Sequence, residues 1–563
     1  MKSSLRLHLC ISRFVIALLA ISLPAVSLVT PSALARQAAA KTAPALSKQE
    51  REAAARVKVE TLKEVTNALA SKEMEGRGTG QPGADKAAQY IADRFAKIGL
   101  KPAGDAGTYR QAIKFKSEQV QSGSSFKAGD TTLKLKDDFV FVQPLPAELK
   151  EVNAGLVFAG YGVISPEIKR DDLAGINVKG KVVLLLGGKP NGVNDAAWAK
   201  ASNQRAVFGR LITSGAAAIV VTYVGRETQP FGLASTYMMR RRVSFADDPQ
   251  MPFKTPPFIF VSDEAAEKLF AGSGTTYKEA KAKAEAGEFA SRDLGKQAAI
   301  TIGVKREEAP SSNVVAVLEG SDAKLREEAV VYSAHYDAYG IETDGTIYPG
   351  AADNALGIAK LVAIAESLAK AKQKPRRSII FLAVTGEEYG LLGAEYWVKH
   401  PTWPIEKVAA NINYDGIGSE VWGPMKNLID YGFKHSDLGA QMEGVASAMN
   451  IAIVPDPFPE EGVFYRSDHY AFFKKGVPSL YLIGAPSDQT AMGARAMKFL
   501  VTDYHMATDT VQKDWHWDGA RDLAVMGLVV GMRIADQEAM PAWLQSSPYN
   551  RPRGTNLPPP ARQ

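Results

Sequence analysis

Cysteine is almost absent: one of the 563 residues is a cysteine, Cys10, and it lies close to the N-terminus. Lys2, Arg6 and Arg13 accompany an apolar run from Phe14 to Val29, which is followed by the small-residue pattern Ala33-Leu34-Ala35. That order reads as a secretory signal peptide over residues 1–35. The run is short for a span of about 20 residues, and Pro24 interrupts it, so no stable membrane span is expected after cleavage. Cleavage removes Cys10. Disulfide staples, thiolate zinc ligands and a cysteine nucleophile are then excluded, and any metal must be held by imidazole and carboxylate. An excess of charge of one sign is also lacking. The net charge is +6, and loss of Lys2, Arg6 and Arg13 leaves +3, too close to balance for a nucleic-acid partner. The expected location is exported, periplasmic or secreted.

The chain is too long for one ordinary compact domain, so two folded units with tails are expected. Residues 36–50 are Ala- and Lys-rich without a periodic apolar face and read as a flexible leader. A helical pattern at Glu60–Leu69, the loop Glu75-Gly76-Arg77-Gly78-Thr79-Gly80 and a helix from Gly83 to Ile98 follow, with Gly99 as its stop. From 126 to 305 short β-type runs dominate, with one helix near Ala201–Ser214. Histidine is absent there, so this inserted β-rich domain can supply no imidazole. Its run Arg240-Arg241-Arg242 reads as a solvated loop, with contact to an acidic substrate group as the other reading. After Ser311, strands near Val314–Leu318, Val330–Ser333, Ile379–Val384, Ala410–Tyr414 and Leu480–Ile483 alternate with helical stretches. The alternation predicts an α/β fold, a mostly parallel mixed sheet flanked by helices, assembled from residues 51–125 and 306–544. Residues 545–563 are rich in proline, arginine and asparagine and read as a disordered tail.

Three of these strands run directly into polar residues: His335, the pair Glu387 and Glu388, and Asp415. The carboxyl edge of an open α/β sheet is where ligands bind, so residues 80 positions apart can converge there. Asp353 and Tyr504-His505 complete a set with enough donors for two divalent ions that share one carboxylate. Asp353 alone would pass for a helix N-cap; the company of the other donors favours a bridging role. In extended backbone Glu387 and Glu388 point to opposite sides, so one can bind metal while its neighbour moves a proton. Asp337, two residues beyond His335, is placed to accept the other imidazole N–H. Composition leaves both His469 and His505 available as the last ligand.

The run Val384-Thr385-Gly386-Glu387-Glu388-Tyr389-Gly390-Leu391-Leu392-Gly393-Ala394 occurs with Ser333-Ala334-His335-Tyr336-Asp337, Gly350-Ala351-Ala352-Asp353-Asn354 and Asn413-Tyr414-Asp415. Together these closely resemble the co-catalytic zinc metallopeptidases of family M28, of the secreted bacterial aminopeptidase type. The resemblance covers most of residues 60–125 and 311–535. It implies one ion held by His335, Asp353 and Asp415 and another by Asp353, Glu388 and His505. Zinc is implied in both positions, and manganese or cobalt are substitutes that such donors accept. Glu387 is implied as the general base and Tyr504 as a donor to the oxyanion. Arg466 is implied to contact substrate, with Asp468 and His469 behind the ligands. A cis Asp353–Asn354 peptide is also implied, and the 126–305 insert resembles a protease-associated domain. The activity implied is removal of N-terminal residues from peptides by a water that Glu387 deprotonates between the ions. A carboxypeptidase or other amidohydrolase on the same site is the alternative, and a binding protein on this scaffold a more distant one.

Overall fold

The computed structural model describes residues 45–557, apart from 144, 146–150, 226–229, 249–254, 289, 417–419 and 486–490. The expected signal peptide and most of the expected leader lie outside the described residues. Among those described, no helix is long and apolar enough to cross a membrane.

The main sheet runs in the order Lys101–Pro102, Ser311–Leu318, Ser378–Val384, Ala329–His335, Val408–Tyr414 and Ser479–Leu482, with Arg110–Ile113 also paired to Ser311–Leu318. The four strands from Ser378–Val384 to Ser479–Leu482 are mutually parallel, and Ser311–Leu318 adds to them antiparallel. Every residue of Ala329–His335, Ser378–Val384 and Val408–Tyr414 is buried. Helices on both faces require such continuous apolar runs. Side-chain alternation divides them: Val330, Tyr332 and Ala334 pack with the Leu356–Ala369 and Asp518–Asp536 helices. Val331, Ile380 and Leu382 pack with Trp397 and Phe472 on the other face. The predicted mixed, mostly parallel sheet is the one observed.

Residues 125–301 contribute a second, eight-stranded sheet with a core of its own. This segment is less purely β than expected. Val152–Phe158, Val182–Leu185, Ala218–Thr222 and Phe258–Val261 are parallel neighbours, and parallel neighbours need long crossovers. The helices Asp195–Ala201, Gln204–Thr213 and Phe231–Met238 lie in those connections, with Asp263–Phe270 and Tyr277–Glu285 after them. A three-stranded sheet, Arg242–Phe245, Phe115–Val120 and Val304–Glu308, links the two units. Both chain crossings pass through it, and Arg242–Phe245 returns from the second unit to join them. Phe115 stacks on Phe245 at 5.5 Å beside Tyr389 and Leu392 of the main unit.

Two terminal expectations are corrected. The leader expected to reach residue 50 gives way to a helix, Lys48–Arg56, whose N-terminus is closed by a reciprocal capping box between Ser47 and Glu50. The tail expected to be disordered from residue 545 is packed over residues 545–557. Tyr549 lies 5.1 Å from the Phe473 ring, and Arg553 donates to the carbonyls of Val408, Ala409 and Pro541 at 2.8, 2.9 and 2.6 Å. A proline- and arginine-rich composition conceals these few anchoring side chains.

Candidate metal centre

The centre lies at the carboxyl edge of the main sheet. His335 is the last residue of its strand, in register with Val384, and Asp415 follows Tyr414 at the end of the adjacent strand. Asp353 arrives on the irregular turn Ala351–Ala355 ahead of the Leu356–Ala369 helix, through a cis Asp353–Asn354 peptide. Asn354 fixes this turn by donating to the Tyr414 carbonyl at 2.9 Å while accepting from the Gly357 N–H at 3.0 Å. Glu387 and Glu388 occupy a single 3₁₀ turn, Glu387–Tyr389, after a left-handed Gly386. This replaces the extended backbone expected, yet the neighbours still diverge, because successive residues of such a turn are about 120° apart.

His335 Nε2 lies 2.9 Å from Asp415 Oδ1 and 3.1 Å from Asp353 Oδ1. His505 Nε2 lies 3.0 Å from Asp353 Oδ2 and 3.2 Å from Glu388 Oε2. Asp353 therefore offers one oxygen to each imidazole. Two groups of donors, His335 with Asp353 and Asp415 and Asp353 with Glu388 and His505, each have atoms within 4.8 Å of one another. Asp353 Oδ1 is buried and accepts no hydrogen bond from a described residue, although an imidazole nitrogen is close by. Donor atoms converging on a point in this way fit a cation among them, and buried carboxylates this crowded call for one. Burial and the neighbouring charges, Asp415 foremost, push Glu387 well above the usual carboxylate range, with His335 opposing. Burial and Asp353 do the same to Glu388. Burial works against the charge of Asp353, but the imidazoles of His335 and His505 facing it outweigh it and hold the carboxyl below its ordinary value. Imidazole and carboxylate without thiolate form a donor set suited to zinc and also to manganese or cobalt.

The groups behind these donors differ in part from expectation. His335 Nδ1 faces the main-chain carbonyl of Asp337 at 3.1 Å, with the Asp337 carboxylate farther away at 3.6 Å. That carboxylate accepts instead from the Thr79 hydroxyl at 3.0 Å and the Glu387 N–H at 3.2 Å. A proton on Nδ1 directed at the carbonyl leaves the Nε2 lone pair facing the site. His469 is fully buried, stacked on Tyr481 at 4.8 Å, and belongs to neither donor group. Burial pulls its imidazole down to about 3. Asp468 is buried with neither carboxylate oxygen accepting a hydrogen bond from a described residue, and burial raises it well above the usual range. The Tyr504 ring stacks on His505 at 3.7 Å, and burial keeps its hydroxyl protonated by pushing its pKa upward. Arg466 is half-buried and near enough for its charge to lower Tyr504.

Four contributors were not assigned from sequence. Arg77 is fully buried and donates to the carbonyls of Tyr336, Leu69, Pro349 and Gly350 at 2.5 to 2.7 Å. It thereby joins the segments that carry His335 and Asp353, and burial brings its pKa down to about 10. At Gly350 (φ +54°) a Cβ would meet the Asp353 carbonyl oxygen at 2.3 Å, so a side chain cannot be accommodated without displacing that ligand's backbone. Asp509 accepts from the N–H groups of Ala352 and Asp353 at 2.9 and 3.1 Å, and burial raises it to about 7. Tyr339 places its hydroxyl 3.2 Å from His505 Nδ1. Arg240 and Arg241, expected in a solvated loop, are buried. The loop Glu75–Gly80 was legible as a loop in the sequence, but the carbonyls that Arg77 serves are set by tertiary contact.

Comparison with known proteins bears on the family and the fold. Residues 313–529 match the description Peptidase family M28. The chain is 25% identical over 216 residues to a vacuolar membrane protease of Lodderomyces elongisporus, covering 37% of this chain and 19% of that protein. It is 27% identical over 230 residues to a vacuolar membrane protease of Candida albicans, covering 39% and 23%. The match thus spans about a fifth of the length of these relatives. Among solved structures, an aminopeptidase from Aneurinibacillus sp. strain AM-1 has TM-score 0.54 at 16% identity, covering 87% of this chain and 97% of that one. A zinc aminopeptidase from Bacillus subtilis has TM-score 0.52 at 17% identity, covering 85% and 96%. At such identities these two establish the shared α/β fold. The expectation of an exported, periplasmic or secreted protein is corrected by the curated relatives, whose name refers to a vacuolar membrane. The donors from His335 to His505 all fall inside residues 313–529, so the part of the chain that carries the candidate site is the part that matches peptidase family M28.

Proposed function

We propose that the chain is a two-zinc metallo-aminopeptidase acting on peptides. The observation that carries this reading is Asp353 presenting one carboxylate oxygen to His335 at 3.1 Å and the other to His505 at 3.0 Å. One ion would be held by His335, Asp353 and Asp415 and the other by Asp353, Glu388 and His505. Such ions supply Lewis acidity toward a carbonyl oxygen and make a neighbouring water more acidic.

The chain's own groups supply the remaining steps. Glu387 is half-buried beside His335, its Oε2 at 3.8 Å from Nε2, and stays outside both donor groups. It takes the proton of the attacking water and returns it to the leaving amine. Its main-chain N–H is held by Asp337, which keeps the carboxylate of Glu387 next to the ion sites. The protonated Tyr504 hydroxyl donates to the oxygen that becomes negative as the carbonyl carbon turns tetrahedral. Arg466 is proposed to contact substrate, supported by the nearness of its charge to Tyr504, and Asp468 to act from behind the donors, supported by the nearness of its charge to Glu387. The second unit, residues 126–305, is proposed as a protease-associated domain, supported by its separate core and position as an insert.

The test is mass spectrometry of a mixed peptide pool, with N-acetylated and C-amidated members, after incubation with zinc-loaded protein. Loss of single residues from free N-termini with acetylated peptides spared is expected. Trimming from the C-terminus would replace the reading with a carboxypeptidase, and an untouched pool would remove the exopeptidase reading.

A further inference from the structure

His505 adopts a left-handed backbone conformation, φ +61°. For a ring-bearing residue that conformation is disfavoured and persists only where neighbours hold it. The neighbours come from the second unit. At the end of its Phe231–Met238 helix, Arg240 donates from Nη2 to the His505 carbonyl. Tyr237 donates from its hydroxyl to the preceding carbonyl, that of Tyr504, at 3.4 Å. The guanidinium of Arg240 also lies over the rings of Tyr339, Tyr237 and Tyr348, at 3.8, 4.4 and 4.6 Å from their centroids. Tyr339 is the residue whose hydroxyl meets His505 Nδ1. One arginine therefore touches both supports of the imidazole, its main chain and its Nδ1 partner. Arg241, equally buried between the units, donates to the Thr79 carbonyl at 2.6 Å and serves a different segment.

The geometry points to Arg240 as a positioning residue through which the second unit builds one of the two ion sites. It fixes the left-handed His505 backbone and clamps Tyr339 against Nδ1, so that Nε2 is aimed at Asp353 and Glu388. The site of His335, Asp353 and Asp415 draws its donors and their immediate supports from the main unit. The two sites then differ in what sustains them, and only one depends on an arginine of the insert. This rests on the reading of His505 as a ligand.

The test is calorimetric titration of zinc into the chelator-stripped full chain, with thermal melting of the stripped form alongside. The parent is expected to bind in two steps, and His505→Ala identifies the step to which His505 belongs. Arg240→Met is expected to weaken that step about 10- to 100-fold, the usual effect of losing a group that orients a ligand, while the other step stays within about 3-fold. Arg240→Lys should recover part of the loss, and Arg241→Met should leave the His505 step in place. An Arg240→Met titration that overlays the parent would overturn the inference. So would equal weakening of both steps, or the same selective loss in Arg241→Met, since either would mean docking of the units rather than positioning. A parent that binds fewer than two ions would fail the two-ion reading first and take this inference with it. Should Arg240→Met not fold, Tyr339→Phe removes one oxygen from the same relay; it is expected to weaken the His505 step, and an unchanged titration again overturns the inference.

Discussion

A single carboxylate divides the work at the centre. Glu387 and Glu388 are adjacent and both raised by burial, yet Glu388 reaches His505 while Glu387 stands apart from both donor groups. Glu387→Gln keeps the shape and removes the proton acceptor. It should retain the zinc content of the parent while kcat falls by about 10²- to 10⁴-fold, the range for loss of a general base; ordinary turnover in this variant would dismiss Glu387 from the role. The two candidate histidines separate just as cleanly. His505→Ala should release one ion of two, whereas His469→Ala, which removes a buried ring stacked on Tyr481, should lower stability and leave metal content near two. Elemental analysis of both variants decides it, and equal zinc in the two would undo the assignment. Sequence spacing placed the donors in this region, and resemblance alone chose between these histidines. The reason is visible at residue scale: His469 is walled in by Phe464, Phe473 and Tyr481, a packing environment that spacing does not encode.

Among the elements, the loops matter more than the strands they join. Arg77 sits in a short irregular turn and binds the Tyr336, Pro349 and Gly350 carbonyls from the two segments that bracket the His335-to-Asp353 connection. Arg77→Met leaves those buried carbonyls unpartnered, and charged hydrogen bonds of this kind contribute about 1.5 to 3 kcal/mol each before context discounts them. A loss of at least about 3 kcal/mol in urea unfolding is expected, and a change under about 1 kcal/mol would show that the clamp is dispensable. The N-terminal helix Lys48–Arg56 provides a pH-dependent contact. Burial opposes the charge of Glu50, but the hydrogen bond from Arg533 at 2.7 Å and that from the Ser47 N–H outweigh it, so its pKa lies below the ordinary value. A lowered folded pKa adds stability above the unfolded value of about 4.3 that is lost as pH falls through the folded one. Parent and Glu50→Gln should therefore differ in stability at pH 7 and converge toward pH 3. A gap that persists at pH 3 would locate the effect of the substitution in packing.

At the scale of the whole molecule, two hydrophobic cores meet through a three-stranded sheet and a pair of buried arginines. The candidate ion donors belong to one of these units, so metal bound there should stabilise that unit preferentially. With free zinc at 100 times Kd, each occupied site adds about 2.7 kcal/mol. Calorimetric scans before and after chelation should show the main-unit transition falling most, with a smaller fall for residues 126–305, whose Arg240 supports one of the two sites. Uniform shifts would mean that the units unfold as one.

The sequence by itself determined the α/β architecture and the edge on which the site forms, because buried parallel strands need continuous apolar runs and those runs end at His335, Glu387 and Asp415. It also excluded thiol chemistry through the placement of Cys10, for any form of the chain that begins after it. Only the tertiary structure decided which groups orient the donors. Arg77, Tyr339, Asp509 and Arg240 act on carbonyls, amides and an imidazole far away in the chain, and no local periodicity records such pairings. The tertiary structure also reversed the reading of Arg240-Arg241-Arg242. A run of arginines favours water unless carbonyls and aromatic faces replace it, and only the docking of the second unit brings the His505 and Thr79 carbonyls and the Tyr339 ring within reach.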